Sequence, residues 1–289
     1  MKVSGAPEQS NQIELLLPGH VTAMRVPWWS QFDSRCLVHH LAENPGVSFR
    51  VMNSGQYLVG GYWRGRSEIG QVLEVIGSKN RLELVQRTVE SFRKLDCTLV
   101  VLSSGEADRE AKWFIKHGWP QIDEIVIYTR GSCRIKVVAG ASLRLEQFQP
   151  QDLDELLALE AAAFPFLWWS GRVDFLHYVS LPEVRAFVLK VEGRMAGYVS
   201  FTKRGRQGFL DRIAVQPDLQ GRGYGAKLLL FVLEQLDKAG ATTVALNTQV
   251  TNRRAQNLYQ TYGFVRTDNI ERIYGVWLPE RGDRNSTRS

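Results

Sequence analysis

Cysteine is scarce in this 289-residue chain: three, Cys36, Cys97 and Cys133, an odd number with no CxxC spacing. That argues against a disulfide framework and against a zinc cage, and points to small buried thiols in a reducing, cytoplasmic compartment. His39-His40 and the tryptophans near position 28 have no spacing that holds a metal, so no metal site is expected. Long apolar runs are missing as well. The longest, Ala161 to Trp169, is interrupted by Pro165 and falls far short of a membrane span. The opening stretch carries one lysine and an apolar run broken by Glu14, which does not read as a signal peptide. With 25 glycines and 10 prolines, collagen-like and low-complexity readings are excluded. Lys+Arg 36 against Asp+Glu 30 gives a net charge of +6 without a dense basic stripe, which argues against nucleic acid as the partner.

The chain is long enough for two domains that each bury a core. Its C-terminal half reads most clearly. Ser142–Leu145 is a short strand, and Leu153–Phe164 has helical periodicity. Val184–Val191 and Met195–Thr202 flank Gly193 as a hairpin, and Gly208–Val215 is a third strand. A helix from Gly225 to Ala239 puts Leu228, Leu229, Val232, Leu233 and Leu236 on one face. Thr243–Thr248 is a strand, Arg253–Tyr262 a helix ended by Gly263, and Phe264–Thr267 and Arg272–Leu278 two further strand-like runs. The N-terminal half repeats this order: strands at Tyr57–Arg64 and Gly70–Ile76, a helix near Leu82–Leu95, a strand at Thr98–Ser103, and a helix ending at His117-Gly118-Trp119. Pro27-Trp28-Trp29-Ser30 is echoed by Leu167-Trp168-Trp169-Ser170 at nearly the same separation as the two helix ends. A duplicated domain follows, with 12–138 and 139–280 as the halves, Gly131–Ala141 as the linker, and frayed ends at 1–11 and 281–289.

Gln220-Gly221-Arg222-Gly223-Tyr224-Gly225-Ala226 joins a strand to an amphipathic helix. A helix start exposes unpaired N–H groups and the positive end of its dipole, and glycines let phosphate oxygens reach the backbone. A bare glycine-rich turn without a ligand is the plain alternative. Gly221, Gly223 and Ala226 also fit a dinucleotide pattern. However, Gln216–Gln220 separate them from the strand, and the next strand carries Asn247 where a ribose-binding acid belongs.

Downstream, Asn252, Ala255, Leu258, Tyr259, Gly263 and Phe264 stand at the fixed positions of N-x-x-A-x-x-L-Y-x-x-x-G-F, and Gln220, Gly223 and Gly225 meet [QR]-x-x-G-x-[GA]. In these two blocks the sequence resembles the GNAT superfamily of N-acetyltransferases, over roughly residues 142–278; the first half resembles it in element order. The resemblance implies an α/β (α+β) fold of two GNAT-like domains, each a mixed, mostly antiparallel sheet flanked by helices with one splayed parallel strand pair. It implies acetyl-CoA as acyl donor, its pantetheine arm along Ile213, Ala214 and Val215. The pyrophosphate would lie on the amides of Gly221, Arg222, Gly223, Tyr224, Gly225 and Ala226, beside Gln220. Asn252 and Asn257 would face the cofactor arm, although Asn252 also stands where an N-cap is wanted.

Acetyl transfer needs a neutral amine, a donor for the developing oxyanion and an acid for the leaving thiolate. Tyr259 is the expected acid, since a phenol stays protonated at pH 7, and a half-buried tyrosine packing in the core is the plain alternative. Asn247 occupies the position where related enzymes often carry Glu, so Asp211 is the candidate base, acting through water. A carboxylate paired with Arg212 or a loop amide is its plain alternative, and a low-pKa amine needs no dedicated base. Phe166, Trp168 and Trp169 resemble the acceptor lip of the ribosomal-protein alanine N-acetyltransferase branch, and an aromatic core plug is the alternative there. The first half has Gly77-Ser78-Lys79-Asn80 in place of a G-x-G loop and Phe114 opposite Tyr259, so no acetyl-CoA is expected in it. The expected activity is transfer of acetyl to a primary amine, either a protein N-terminus or a small molecule. The rival is a non-catalytic acyl-CoA-binding regulator. Oligomeric state is not legible.

Overall fold

A computed structural model describes residues 12–105, 109–134 and 145–279. In chain order the first elements are β1 (Ile13–Leu15), α1 (Ser34–Glu43), β2 (Phe49–Val51), β3 (Tyr57–Tyr62), β4 (Ile69–Ile76), α2 (Arg81–Lys94), β5 (Leu99–Gly105), α3 (Arg109–Lys116) and β6 (Gln121–Arg130). Then come β7 (Leu145–Gln147), α4 (Leu153–Ala163), α5 (Arg172–Ser180), β8 (Val184–Val191), β9 (Arg194–Arg204) and β10 (Gln207–Val215). The chain closes with α6 (Tyr224–Lys238), β11 (Thr243–Gln249), α7 (Arg253–Thr261) and β12 (Val265–Trp277). The order of the first series recurs in the second, with α5 as an added helix.

Two compact units result, and they do not follow chain order alone. One holds residues up to 103, with 113–120 and the chain from 274 onward; the other holds 104–112 and 121–273. In the first, strands run β1-β2-β3-β4-β5, with the end of β12 beside β5. In the second, the order is β12-β6-β11-β10-β9-β8-β7. Strand β6 follows α3 in the chain but pairs antiparallel to β11, Val126 opposite Thr248. Hydrophobic alternation tells which face of a strand is buried, not which distant strand it pairs with.

The second unit has two apolar layers. On one face the five predicted α6 residues, Leu228, Leu229, Val232, Leu233 and Leu236, are fully buried with Val199, Phe201, Leu210 and Leu246. On the other, Leu156 and Leu159 of α4 and Phe175 of α5 pack on Val188, Tyr198 and Ala214. The hairpin at Glu192 and Gly193 has φ of 52° and 78°, the left-handed pair that matches strand twist.

Some elements differ from expectation. The runs at 264–267 and 272–278 are one strand, because ladder pairing carries β12 through polar Asp268 and Asn269 without a turn. Helix α5 has weak amphipathic spacing and a β-branched start, which hid it. Strand β3 stops at Tyr62, and a 3₁₀ turn with Arg64 at φ 54° follows. The expected strand at Ser142–Leu145 is found only as Leu145–Gln147. Residues 142–144, most of the linker and both expected frayed ends lie outside the described residues.

Candidate active site

Strands β10 and β11 run parallel and pair from Gln207↔Thr243 to Leu210↔Leu246, and no further. Beyond that point β10 stays paired with β9 as far as Val215↔Gly197, while β11 stays paired with β6 as far as Gln249↔Ile125. The edge of β10 over Arg212–Val215 therefore faces a gap where β11 has parted from it. Backbone amides on such an edge need a partner from elsewhere. The β10–β9 register slips between Leu210 and Arg212, a bulge with Asp211 as the extra residue.

At the end of β10 the chain makes a 3₁₀ turn at Pro217–Leu219 and then the glycine loop. Gly221 and Gly223 both have φ of 82°, which glycine alone adopts without strain. Gly223 is the N-cap of α6 and no side chain caps that helix, so its first-turn amides point outward. Gly225 is less constrained, since a Cβ there would meet only Leu258 Cδ2 at 3.6 Å. Gln220 donates from Nε2 to the Val215 carbonyl at 3.0 Å and accepts at Oε1 from Arg254 of α7, so it shapes the loop from inside. A gap along an uncovered strand edge, continued by an uncapped helix start, suits an extended chain with a polyphosphate end.

Helix α7 forms the next wall. Asn252 is its N-cap, accepting the Ala255 amide at 3.1 Å, so the capping role expected for it is present. Asn257 is exposed. Tyr259 is 4% exposed, in the α6-side core, with its ring 6.1 Å from Tyr128 and 6.0 Å from Phe264. Burial pushes its hydroxyl above the ordinary phenol range, so it holds its proton at any physiological pH.

The bulge turns both Asp211 and Arg212 toward the α4–α5 face, and they take different partners. Arg212 donates to the Tyr198 hydroxyl at 2.9 Å and to the Trp168 carbonyl at 2.8 Å, pairs with Glu160 of α4, and lies 4.7 Å over the Phe164 ring. Glu160 is fully buried and also accepts the Ser170 amide at 2.7 Å and the Tyr198 hydroxyl. Asp211 is thus left without Arg212, one of the two partners named in its plain alternative. It instead receives the Tyr178 hydroxyl at 2.8 Å and the Thr202 hydroxyl at 3.4 Å. Protein surrounds its carboxyl, although the residue opens to solvent, and this desolvation pushes its pKa up to about 6 against the effect of those hydrogen bonds.

Glu160 and Tyr178 were missed at the sequence level, and Arg212 was named there only as a partner for Asp211. The signal available was a glutamate inside the otherwise apolar end of α4.

The lip is tied at both ends of residues 164–170. Within it Leu167 is the inward residue, Phe166 is exposed, and Trp168 and Trp169 are half-buried, so the lip is not a core plug. The Trp168 indole N–H donates to Asp123 of β6.

The first unit carries the same bulge on β4, where Leu73 is the extra residue between Val59↔Glu74 and Gly60↔Val72. Its lip is held there by Ser30 donating to Glu74 at 2.9 Å, with Trp28 89% and Trp29 65% exposed. At the start of its helix α2 the side chain of Gln56 pairs with the N-cap residue Asn80. Gln56 Oε1 accepts the Asn80 amide at 3.2 Å, Gln56 Nε2 donates to Asn80 Oδ1 at 3.1 Å, and a Cβ on Gly77 would stand 2.4 Å from Gln56 Cγ. Phe114, fully buried, occupies the place corresponding to Tyr259.

Among the described residues no group of three His, Cys, Asp or Glu could hold a metal, and no helix is long and apolar enough to cross a membrane.

Comparison with known proteins gives a consistent result. Residues 143–264 match the family described as Acetyltransferase (GNAT) family. A putative [ribosomal protein bS18]-alanine N-acetyltransferase of Bacillus subtilis is 27% identical over 149 residues, 48% of this chain and 94% of that protein. The [ribosomal protein bS18]-alanine N-acetyltransferase of Escherichia coli is 35% identical over 78 residues, 27% of this chain; the match spans about half of that enzyme, 53%. A solved tandem GNAT protein from the clavulanic acid biosynthesis pathway superposes with a TM-score of 0.58 at 14% identity, covering 92% of this chain and 98% of that one, a likeness of fold.

Proposed function

We propose, from the match of residues 143–264 to the GNAT acetyltransferases, that the chain transfers the acetyl group of acetyl-CoA directly to a primary amine, with catalysis confined to its second unit. The observation that carries this is the parting of β10 from β11 after Leu210, opening onto the uncapped start of α6, with Asp211 at the bulge in the β10–β9 ladder where the parting begins. Bound acetyl-CoA supplies the thioester carbonyl. The chain's residues then bind, orient and move protons. The amides of Gly221, Arg222, Gly223, Tyr224, Gly225 and Ala226 take the pyrophosphate, and the free edge of Ile213–Val215 holds the pantetheine arm and donates to the oxyanion. Asn257 faces the arm from α7, while Gln220 and Asn252 keep loop and helix in place. Tyr259 gives its proton to the leaving sulfur, and Asp211 takes the proton of the acceptor, directly or through water.

The acceptor is a primary amine, in the first place a protein N-terminus, as the names of the relatives suggest; a small-molecule amine is the second choice. Deprotonation at neutral pH costs about 1 kcal/mol for an α-amino group and about 4–5 kcal/mol for a lysine, which favours the former for a base near pH 6. Phe166, Trp168 and Trp169 border that acceptor. With Cys97 and Cys133 as buried free thiols, the reducing cytoplasm is the proposed compartment.

Thiol release from acetyl-CoA across a panel of peptide N-termini and small amines tests this reading. Release with a peptide amine is expected. Saturable acetyl-CoA binding without release on any acceptor would make the chain an acyl-CoA-binding regulator.

A further inference from the structure

The hydroxyl of Tyr178, on helix α5, is the hub of a side-chain cluster. It stands 2.9 Å from Ser200 Oγ and 2.8 Å from Asp211 Oδ2. A phenol has one hydrogen and an ionised carboxylate can only accept. That hydrogen therefore goes to Asp211, and the Tyr178 oxygen accepts from Ser200, which is fully buried on β9. The donor chain runs Ser200 to Tyr178 to Asp211 Oδ2. Among the described residues the other carboxylate oxygen, Oδ1, has only the long 3.4 Å contact with Thr202. Taking Asp211 as the base, as proposed above, we infer that Tyr178 is the positioning residue of the reaction: backed by Ser200, it clamps Oδ2 and leaves Oδ1 as the atom that takes the acceptor's proton.

The proton balance is simple. An acceptor ammonium gives one proton to Oδ1 and becomes a neutral amine, while Asp211 becomes a neutral acid. Tyr178 keeps its own hydrogen, because burial first and the neighbouring Asp211 second push its hydroxyl far above the ordinary range. The other charges around the pair are Arg204 of β9, which favours ionised Asp211, and Glu160 of α4, which acts on Tyr178 and is itself paired with Arg212. Hydrogen bonds to the ionised form hold a carboxyl pKa down, so losing the Tyr178 donor must raise it.

The test uses the full chain with Tyr178→Phe, Ser200→Ala and Asp211→Asn. One readout is the pH profile of kcat/KM for an amine acceptor; the other is carbon-13 NMR titration of the Asp211 carboxyl, which needs no turnover. Tyr178→Phe is expected to raise the Asp211 pKa by about one pH unit and to carry the acidic limb of the profile up by the same amount, with the KM for acetyl-CoA unchanged. Ser200→Ala moves both the same way by less. An Asp211 titration that does not move in Tyr178→Phe, with kcat/KM reduced by the same factor at every pH, would overturn the clamp and leave Tyr178 a packing residue. An acidic limb that survives Asp211→Asn would overturn the base reading itself. The NMR titration separates that failure from failure of the clamp.

Discussion

At the scale of single residues, the proposed chemistry rests on two groups whose proton affinity the fold raises. Tyr259 is buried and remains a phenol throughout the working range. Tyr259→Phe should lower kcat about 100-fold with the acetyl-CoA dissociation constant nearly unchanged, as expected when only an acid is removed. Rapid turnover by that variant would take Tyr259 out of the mechanism. Asp211 carries a linkage consequence. Its folded pKa is about 6 against an ordinary 3.8, so the folded state binds a proton more tightly than the unfolded chain. The associated stability is present below the ordinary value and is lost as pH rises through about 6. Asp211→Asn should therefore raise the urea midpoint at pH 8 and leave it unchanged at pH 3, a stabilisation that costs activity; equal midpoints for the two proteins at pH 8 would contradict it. Both residues could be found in the sequence, but their partners could not. Asp211 and Arg212 are neighbours in the chain, and strand alternation alone sends them to opposite faces. One extra residue in the β10 ladder turns both to the same face, where Arg212 meets Glu160 and Asp211 meets Tyr178.

At the scale of elements, the glycine loop and the lip are where local backbone and buried charge do most. Gly223 sits at φ 82°, so Gly223→Val strains the cap and places a branched side chain where the phosphate would approach. Loss of acetyl-CoA binding is expected from it by calorimetry, whereas Gly225→Ala, with only a 3.6 Å methyl contact and better helix propensity, should bind as the parent does. Equal binding by both variants would separate the loop from the cofactor. Arg212→Met removes the cation from the fully buried Glu160 carboxylate and should cost about 3–5 kcal/mol in denaturant unfolding, since breaking one side of a buried ion pair leaves the remaining charge without its counter-charge. Helix α6 was legible because five large aliphatics repeat at helical spacing over its whole length. Helix α5 was not, because it is short and only Phe175 of its apolar residues is fully turned inward. Strand β12 was read as two because its middle is polar and exposed, and only pairing with neighbours from other parts of the chain makes it continuous.

At the scale of the molecule, each unit contains strands that chain order would give to the other. A fragment beginning at residue 145 lacks β6, exposing the β11 edge from Val244 to Gln249 and losing Asp123, which holds Trp168. Such a fragment should aggregate on expression where one beginning at 121 stays in solution, a contrast readable by size-exclusion chromatography. The duplication was visible in the order of elements and in the two tryptophan pairs. The exchange of strands was invisible, because no local pattern encodes a long-range partner. In the first unit Gln56 accepts the Asn80 amide at the start of α2, Leu73 stands at the bulge, and Phe114, which carries no hydroxyl, is fully buried. The central claim is a single cofactor site formed where β10 leaves β11 beside α6. Isothermal titration of the full chain with acetyl-CoA tests it most directly. The account predicts saturable heat at one site per chain, abolished by Gly223→Val; no heat from a natively folded chain, or a second site that survives that substitution, would contradict it.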